Sequence, residues 1–228
     1  MAATALPLLR SSIGKKAIMA ITGFIGYGFV IIHMIGNLKV FQGQEHFDAY
    51  SEFLRTVGEP AVPERTLLWI VRIVLLVAVI LHVWMAVSLT RQDWGARNVR
   101  YRQSRKVQAS FASLTLRWGG IALFLFIIYH LLHFTFGVSA LHPTFQRGAA
   151  YANLVAGFQN PVNVVIYLLA TAALGTHLYH GVWSMFQTLG LNGPRTDRLW
   201  RGLAVLSGVG LFLGFAVVPV AVLTGIVR

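Results

Sequence analysis

The sequence contains no cysteine. That removes disulfides, thiolate metal sites, iron–sulfur clusters and c-type haem attachment together. Charge is scarce too, at 11% of residues, and negative charge is scarcest: seven acids stand against nineteen lysines and arginines. A soluble domain of 228 residues could not cover itself in so few charged groups. No low-complexity tract or clear internal repeat is present.

What fills the chain instead is apolar, 56% of it. A bilayer is crossed by about 20 apolar residues in helical form. Five segments qualify, at 17–38, 67–90, 116–138, 162–187 and 202–226. The expected fold is an all-α membrane protein, one transmembrane domain over residues 1–228, with no room for a soluble catalytic domain. The first segment is too long for a signal h-region and no small-residue cleavage site follows it, so it is expected to stay. The five spans contain no Asp or Glu, which leaves a carboxylate proton relay or a cation-coupled transporter little to work with.

The net charge of +12 would suggest nucleic acid if it were not so unevenly placed. Arg10, Lys15 and Lys16 precede the first span. Arg91, Arg97, Arg100, Arg102, Arg105, Lys106 and Arg117 lie between the second and third, and Arg195, Arg198 and Arg201 between the fourth and fifth. Those are thirteen of the nineteen basic residues, all on one side, while Glu45, Asp48, Glu52, Glu59 and Glu64 fall on the other. By the positive-inside rule the N-terminus is cytoplasmic and the C-terminus outside. The basic face also suits an acidic partner or lipid headgroups.

Trp94, Trp118 and Trp200 sit at inner helix ends, as an aromatic belt requires. In "VFQGQEHFDAYSEFL", Phe47, Tyr50, Phe53 and Leu54 recur at helical spacing among polar residues, which predicts an amphipathic helix on the outer surface. The long segment "VSALHPTFQRGAAYANLVAGFQNP" is expected to cap the outer end, and Pro219 to kink the fifth span.

Imidazole is costly in hydrocarbon, yet the first four spans carry His33, His82, His130 with His133, and His177 with His180. The fifth has none, and His46 and His142 fall in outer loops. A lone intramembrane histidine often serves only a helix–helix hydrogen bond. The joint pattern says more. At 1.5 Å per residue, His33 and His130 lie roughly 20–24 Å from the cytoplasmic side and His82 and His177 roughly 12–15 Å, two layers about 8 Å apart. Two histidines at one depth, facing across a bundle, are what a six-coordinate haem needs. Gly36, Ala78, Ala86 and Gly181, near these positions, would give a haem clearance. Four histidines in two layers are too far apart for one zinc, and no carboxylate lies among them.

The segments "SSIGKKAIMAITGFIGYGFVIIHMIGN", "RWGGIALFLFIIYHLLH" and "THLYHGVWSMF" resemble the dihaem cytochrome b membrane-anchor subunit (cytochrome b558 type) of succinate dehydrogenases and fumarate reductases. The resemblance covers nearly the whole chain, and its most specific motifs are S-S-x-G-x-K and H-x-x-x-G-x-W. It implies that the first four helices form a haem-binding bundle holding two haem b. His33 with His130 would ligate the distal iron, and His82 with His177 the proximal one. In the H-x-x-x-G-x-W motif the first histidine is the ligand, which makes His177 the ligand and His180 a neighbour. His133 stands in the same relation to His130.

The resemblance further implies a multi-pass subunit of the bacterial cytoplasmic membrane with no catalytic residue of its own. It would anchor a flavoprotein and an iron–sulfur subunit of respiratory complex II, the succinate dehydrogenase of the tricarboxylic acid cycle. Electrons would pass to a quinone, menaquinone by default. Membrane lipid is a further expected partner, an oligomer of the whole complex is open, and nucleic acid is not expected. Some dihaem relatives carry a glutamate just before the fourth-helix ligand; Leu174, Gly175 and Thr176 stand here. For the quinone, the outer end offers Asn37, Lys39, Glu52 and His142, and the inner end Ser11, Ser12 and Lys16. Two other readings stay open: a cytochrome b anchor of a formate dehydrogenase or hydrogenase, and a haem-free membrane anchor or transporter.

Overall fold

The computed structural model describes residues 11–95 and 111–228, with side chains at 11–95 and 116–228. Those residues are mainly helical, with no strand among them. Ser11 caps the first helix, α1 (Ser12–Leu38), its hydroxyl accepting the Gly14 N–H at 3.0 Å. This satisfies one of the donors a helix start leaves orphaned. A 3-10 turn (Lys39–Gln42) and Gly43, at φ 93°, turn the chain into α2 (Gln44–Thr56). Then come α3 (Thr66–Gly95), α4 (Phe111–His130), a π-helical turn (Leu131–Thr135) and a short α5 (Ala150–Phe158). The long α6 (Pro161–Thr188) is capped by Asn160, which accepts the Val162 N–H at 2.9 Å, with Pro161 at its first position. Last is α7 (Asp197–Leu223).

The five elements α1, α3, α4 with its π turn, α6 and α7 are long and apolar enough to cross a membrane. The boundaries differ from the apolar runs where backbone chemistry overrides hydropathy. The Ser11 cap starts α1 five residues before position 17. The π turn ends the third span at Thr135 rather than 138, and Thr224 with Gly225, at φ 75°, ends the fifth at Leu223 rather than 226. The last helix runs on past Pro219 by four residues. Along α3, Trp69, Ile73, Leu76, Ile80 and Trp84 are exposed, a surface fit for lipid rather than water.

In the bundle α1 packs on α3 and α6, α4 packs on α6, and α7 packs on α6 and α1. The helices α1 and α4 are therefore not side by side, and neither are α3 and α6; each of these two pairs lies across the bundle. The seam between α6 and α7 is made by two glycines, Gly175 and Gly208, whose backbones touch because neither has a Cβ. Ser207 takes the Tyr27 hydroxyl at 2.6 Å, tying α7 to α1.

The two ends are closed differently. Where α1 ends and α6 begins, α2 and α5 cover the bundle. Asp48 accepts the Tyr151 N–H at 2.9 Å, Phe47 meets Tyr151 at 6.1 Å, and Leu154, Val155 and Phe158 are buried. The amphipathic helix and the capping segment expected from sequence thus both form, the second as a helix of its own. At the other end Asp197 accepts from Trp183, Asn192 and Arg201, and Phe186 stacks on Trp200 at 3.7 Å. The tryptophan of the H-x-x-x-G-x-W motif is thereby one of the groups joining α6 to the start of α7.

Candidate functional site

The four histidines singled out from sequence meet in two pairs. His33 of α1 and His130 of α4 have ring centroids 5.8 Å apart and planes crossing at 82°. His82 of α3 and His177 of α6 stand 6.2 Å apart at 60°. Each pair spans one of the two diagonals of the four-helix bundle, so the rings meet where the helices themselves do not pack. Two imidazoles bound to opposite faces of one metal through bonds of about 2 Å hold their ring centres roughly 6 Å apart. Among the described residues no group of three or more histidines and acids gathers for a metal ion. The arrangement is two pairs rather than one cluster.

Hydrogen bonding separates the pairs from His133. The Thr22 hydroxyl donates to the Ile18 carbonyl at 2.8 Å, and its oxygen lies 3.2 Å from His82 Nδ1. Thr22 therefore accepts from Nδ1–H and leaves His82 Nε2 as a lone-pair donor. Among the described residues the His130 ring is bonded through Nδ1 alone, 3.2 Å from the Tyr167 hydroxyl. The His33 ring has no hydrogen bond among the described residues and lies between Phe29 at 5.3 Å and Phe215 at 5.9 Å. His177 Nδ1 is buried and has no partner among the described residues. An imidazole nitrogen left unpaired in an apolar interior is costly, and ligation of a metal is one use that offsets this. His133 is the opposite case: it is fully buried, with Nδ1 3.0 Å from Tyr167 and Nε2 3.3 Å from the Asn163 amide, so both nitrogens are engaged. His180 is partly exposed and makes no ring contact with either pair.

The residues around the pairs fit a flat macrocycle in part. A Cβ at Gly23 would lie 3.4 Å from His82 Cε1, so this glycine lets the ring against α1. Gly26, on the same face of α1, and Gly181 both face open space. Gly36 is a correction: the Tyr50 ring of α2 covers it, and a Cβ there would come within 2.8 Å, so it gives clearance to Tyr50 and not to a cofactor. Thr22, Asn163 and Tyr167 were missed by sequence reasoning. Each is a common residue on an apolar helix, and nothing local marks its long-range partner.

The polar residues expected at the outer end have other engagements. Asn37 donates to the His33 carbonyl at 2.7 Å, Lys39 lies 5.3 Å over the Tyr50 ring, and Glu52 pairs with Arg55 at 2.8 Å. His142 is buried against Asn153, its Nε2 2.8 Å from that carbonyl. At the other end Ser11 is spent on its cap, while Ser12 and Lys16 are exposed. Between α3 and α4 a cavity of about 450 Å³ opens, lined by Trp84, Ser88, Arg91 and Phe124 among others. Most of the connecting segment with Arg97, Arg100, Arg102, Arg105 and Lys106 lies outside the described residues.

No curated protein and no solved structure matches the chain. A model of the family described as succinate dehydrogenase/fumarate reductase transmembrane subunit matches residues 101–217. The match takes in His130 and His177 and their helices and does not reach His33 or His82. It covers half of the chain, and with five membrane-length helices around it the conclusion follows: the chain belongs to the succinate dehydrogenase/fumarate reductase transmembrane subunit family.

Proposed function

We propose that this membrane subunit is the dihaem cytochrome b anchor of a succinate:quinone oxidoreductase. His33 with His130 would hold the distal haem b, and His82 with His177 the proximal one. Bound there, each haem would supply a one-electron carrier, its iron held by the two imidazoles of the pair. The observation that carries the reading is the pair of diagonal histidine contacts, at 5.8 and 6.2 Å, in a bundle whose apolar runs at 17–38, 67–90, 116–138, 162–187 and 202–226 contain no acid.

The chain's own residues prepare the sites. Thr22 holds His82 in the tautomer that presents Nε2, and Phe29 and Phe215 fix the His33 ring by packing. The basic connections place the N-terminus in the cytoplasm and receive the iron–sulfur subunit, itself joined to the flavoprotein, in a bacterial inner membrane. Chemistry on the dicarboxylate belongs to those partners. A quinone of the menaquinone type is the electron acceptor. Its reduction takes up two protons, which calls for a watered end of the bundle, and we assign it to the outer end.

The deciding experiment is a pyridine haemochrome assay on the purified complex. We expect two low-spin haem b per chain of this subunit. A ratio of zero or one rejects the dihaem assignment. His82→Ala and His177→Ala should each remove one haem, whereas His180→Ala should keep both.

A further inference from the structure

A polar chain runs from the distal pair into the covered end of the bundle. The Gly157 carbonyl can only accept, so the Asn163 Nδ2 group 2.8 Å away points an N–H at it, and Asn163 Oδ1 accepts the Tyr129 hydroxyl at 2.8 Å. That orientation turns the second Asn163 N–H toward His133 Nε2, which must accept it. The His133 proton then sits on Nδ1 and is donated to the Tyr167 oxygen, 3.0 Å off. The same oxygen lies 3.2 Å from His130 Nδ1. Tyr167 is 7% exposed and caged by the rings of Phe126, Tyr129, Phe134 and Phe158, so its hydroxyl has little freedom to move away.

We propose that Tyr167 is a positioning residue for the distal haem, accepting the Nδ1–H of His130, and that His133 competes for the same oxygen and so weakens that acceptance. This rests on the dihaem reading, in which His130 gives Nε2 to iron and must carry its proton on Nδ1. An acceptor on that proton makes the imidazole a more basic ligand, which favours the ferric state and lowers the reduction potential. Two N–H groups converging on one phenol oxygen occupy both of its lone pairs, so each bond is weaker than it would be alone. The π turn at Leu131–Thr135 begins between the two histidines, which lie on successive helical turns with both rings at Tyr167. Such turns concentrate at functional positions.

The two contributions have opposite signs, and a merely structural role for Tyr167 would not produce that. The test is a redox titration of the intact complex, followed by optical and EPR spectra, with His33→Ala used to assign which potential is distal. Tyr167→Phe keeps the ring and removes the acceptor, so the distal potential should rise while the proximal one stays. His133→Phe keeps a buried ring and removes the competing donor, so the distal potential should fall. Should His133→Phe fail to assemble, the sign of the Tyr167→Phe shift decides alone. An unchanged distal potential in Tyr167→Phe, or shifts of the same sign in both variants, overturns the proposal. Wild-type complex without a distal haem overturns the dihaem reading and this proposal with it, and that outcome is visible before any variant is made.

Discussion

Substituting alanine for Gly175 should loosen the last two spans and, through them, the proximal histidine pair. A Cβ on Gly175 would lie 2.8 Å from the Gly208 carbonyl oxygen, and one on Gly208 would lie 2.7 Å from that of Gly175. Carbon and oxygen settle at about 3.3 Å, so the two backbones must part by about 0.5 Å at the seam. The obstacle is backbone and cannot rotate away as a side chain would. A gap of that size forfeits about a quarter of the dispersion attraction across the seam. The expected cost is about 1–3 kcal/mol for either single substitution. Once one methyl has opened the seam, the second meets less resistance, so Gly175→Ala with Gly208→Ala should cost clearly less than the two singles added. His177 is two residues from Gly175, on the opposite side of α6, and the strain should show there as broadened proximal-haem absorbance. Thermal unfolding in detergent, followed by circular dichroism and by the haem band together, reads both effects. Single variants that unfold at the wild-type temperature, or a double variant whose loss is fully additive, would refute the close-contact reasoning.

Four other outcomes are expected. On the proposed dihaem reading, Thr22→Val removes the hydroxyl acceptor on His82 Nδ1–H at nearly constant volume, so the proximal potential should rise with the distal one unmoved, as redox titration will tell. Asp197→Asn weakens the charge that holds Trp183, Asn192 and Arg201 at the start of α7, and limited proteolysis should find that end cut faster than in wild type. His33→Ala should abolish quinone reductase activity while an artificial dye is still reduced by the soluble subunits; wild-type quinone rates without the distal haem would move the quinone site to the inner end. Reversing the charge at Arg102, Arg105 and Lys106 should release the iron–sulfur subunit at high salt, and a complex that survives this removes that segment from the docking face.

Hydropathy alone was enough for the five spans, because a bilayer permits only a long helix or a closed barrel and no strand pattern is present. Helical rise paired His33 with His130 and His82 with His177, and the structure brings these rings to 5.8 and 6.2 Å. The expected spacing of about 8 Å between the layers is too short, since His82 meets α1 at Thr22 and Gly23, ten or more residues before His33 and so about 15 Å along that helix. Rotation and partner choice are not linear in sequence. Whether His130 or His133 faces His33 depends on the π turn and on Tyr167 and Asn163 of another helix, thirty or more residues away. The same limit explains Gly36. Its spacing from His33 suggested cofactor space, but the amphipathic α2 folds back and fills it with Tyr50. His142, which the sequence places in an outer loop, is buried, with the Asn153 carbonyl of α5 at its ring. Composition and period thus determined the class of fold and the span count. Only the tertiary structure decided which ring nitrogens remain free, because that depends on hydrogen bonds between helices far apart in the chain.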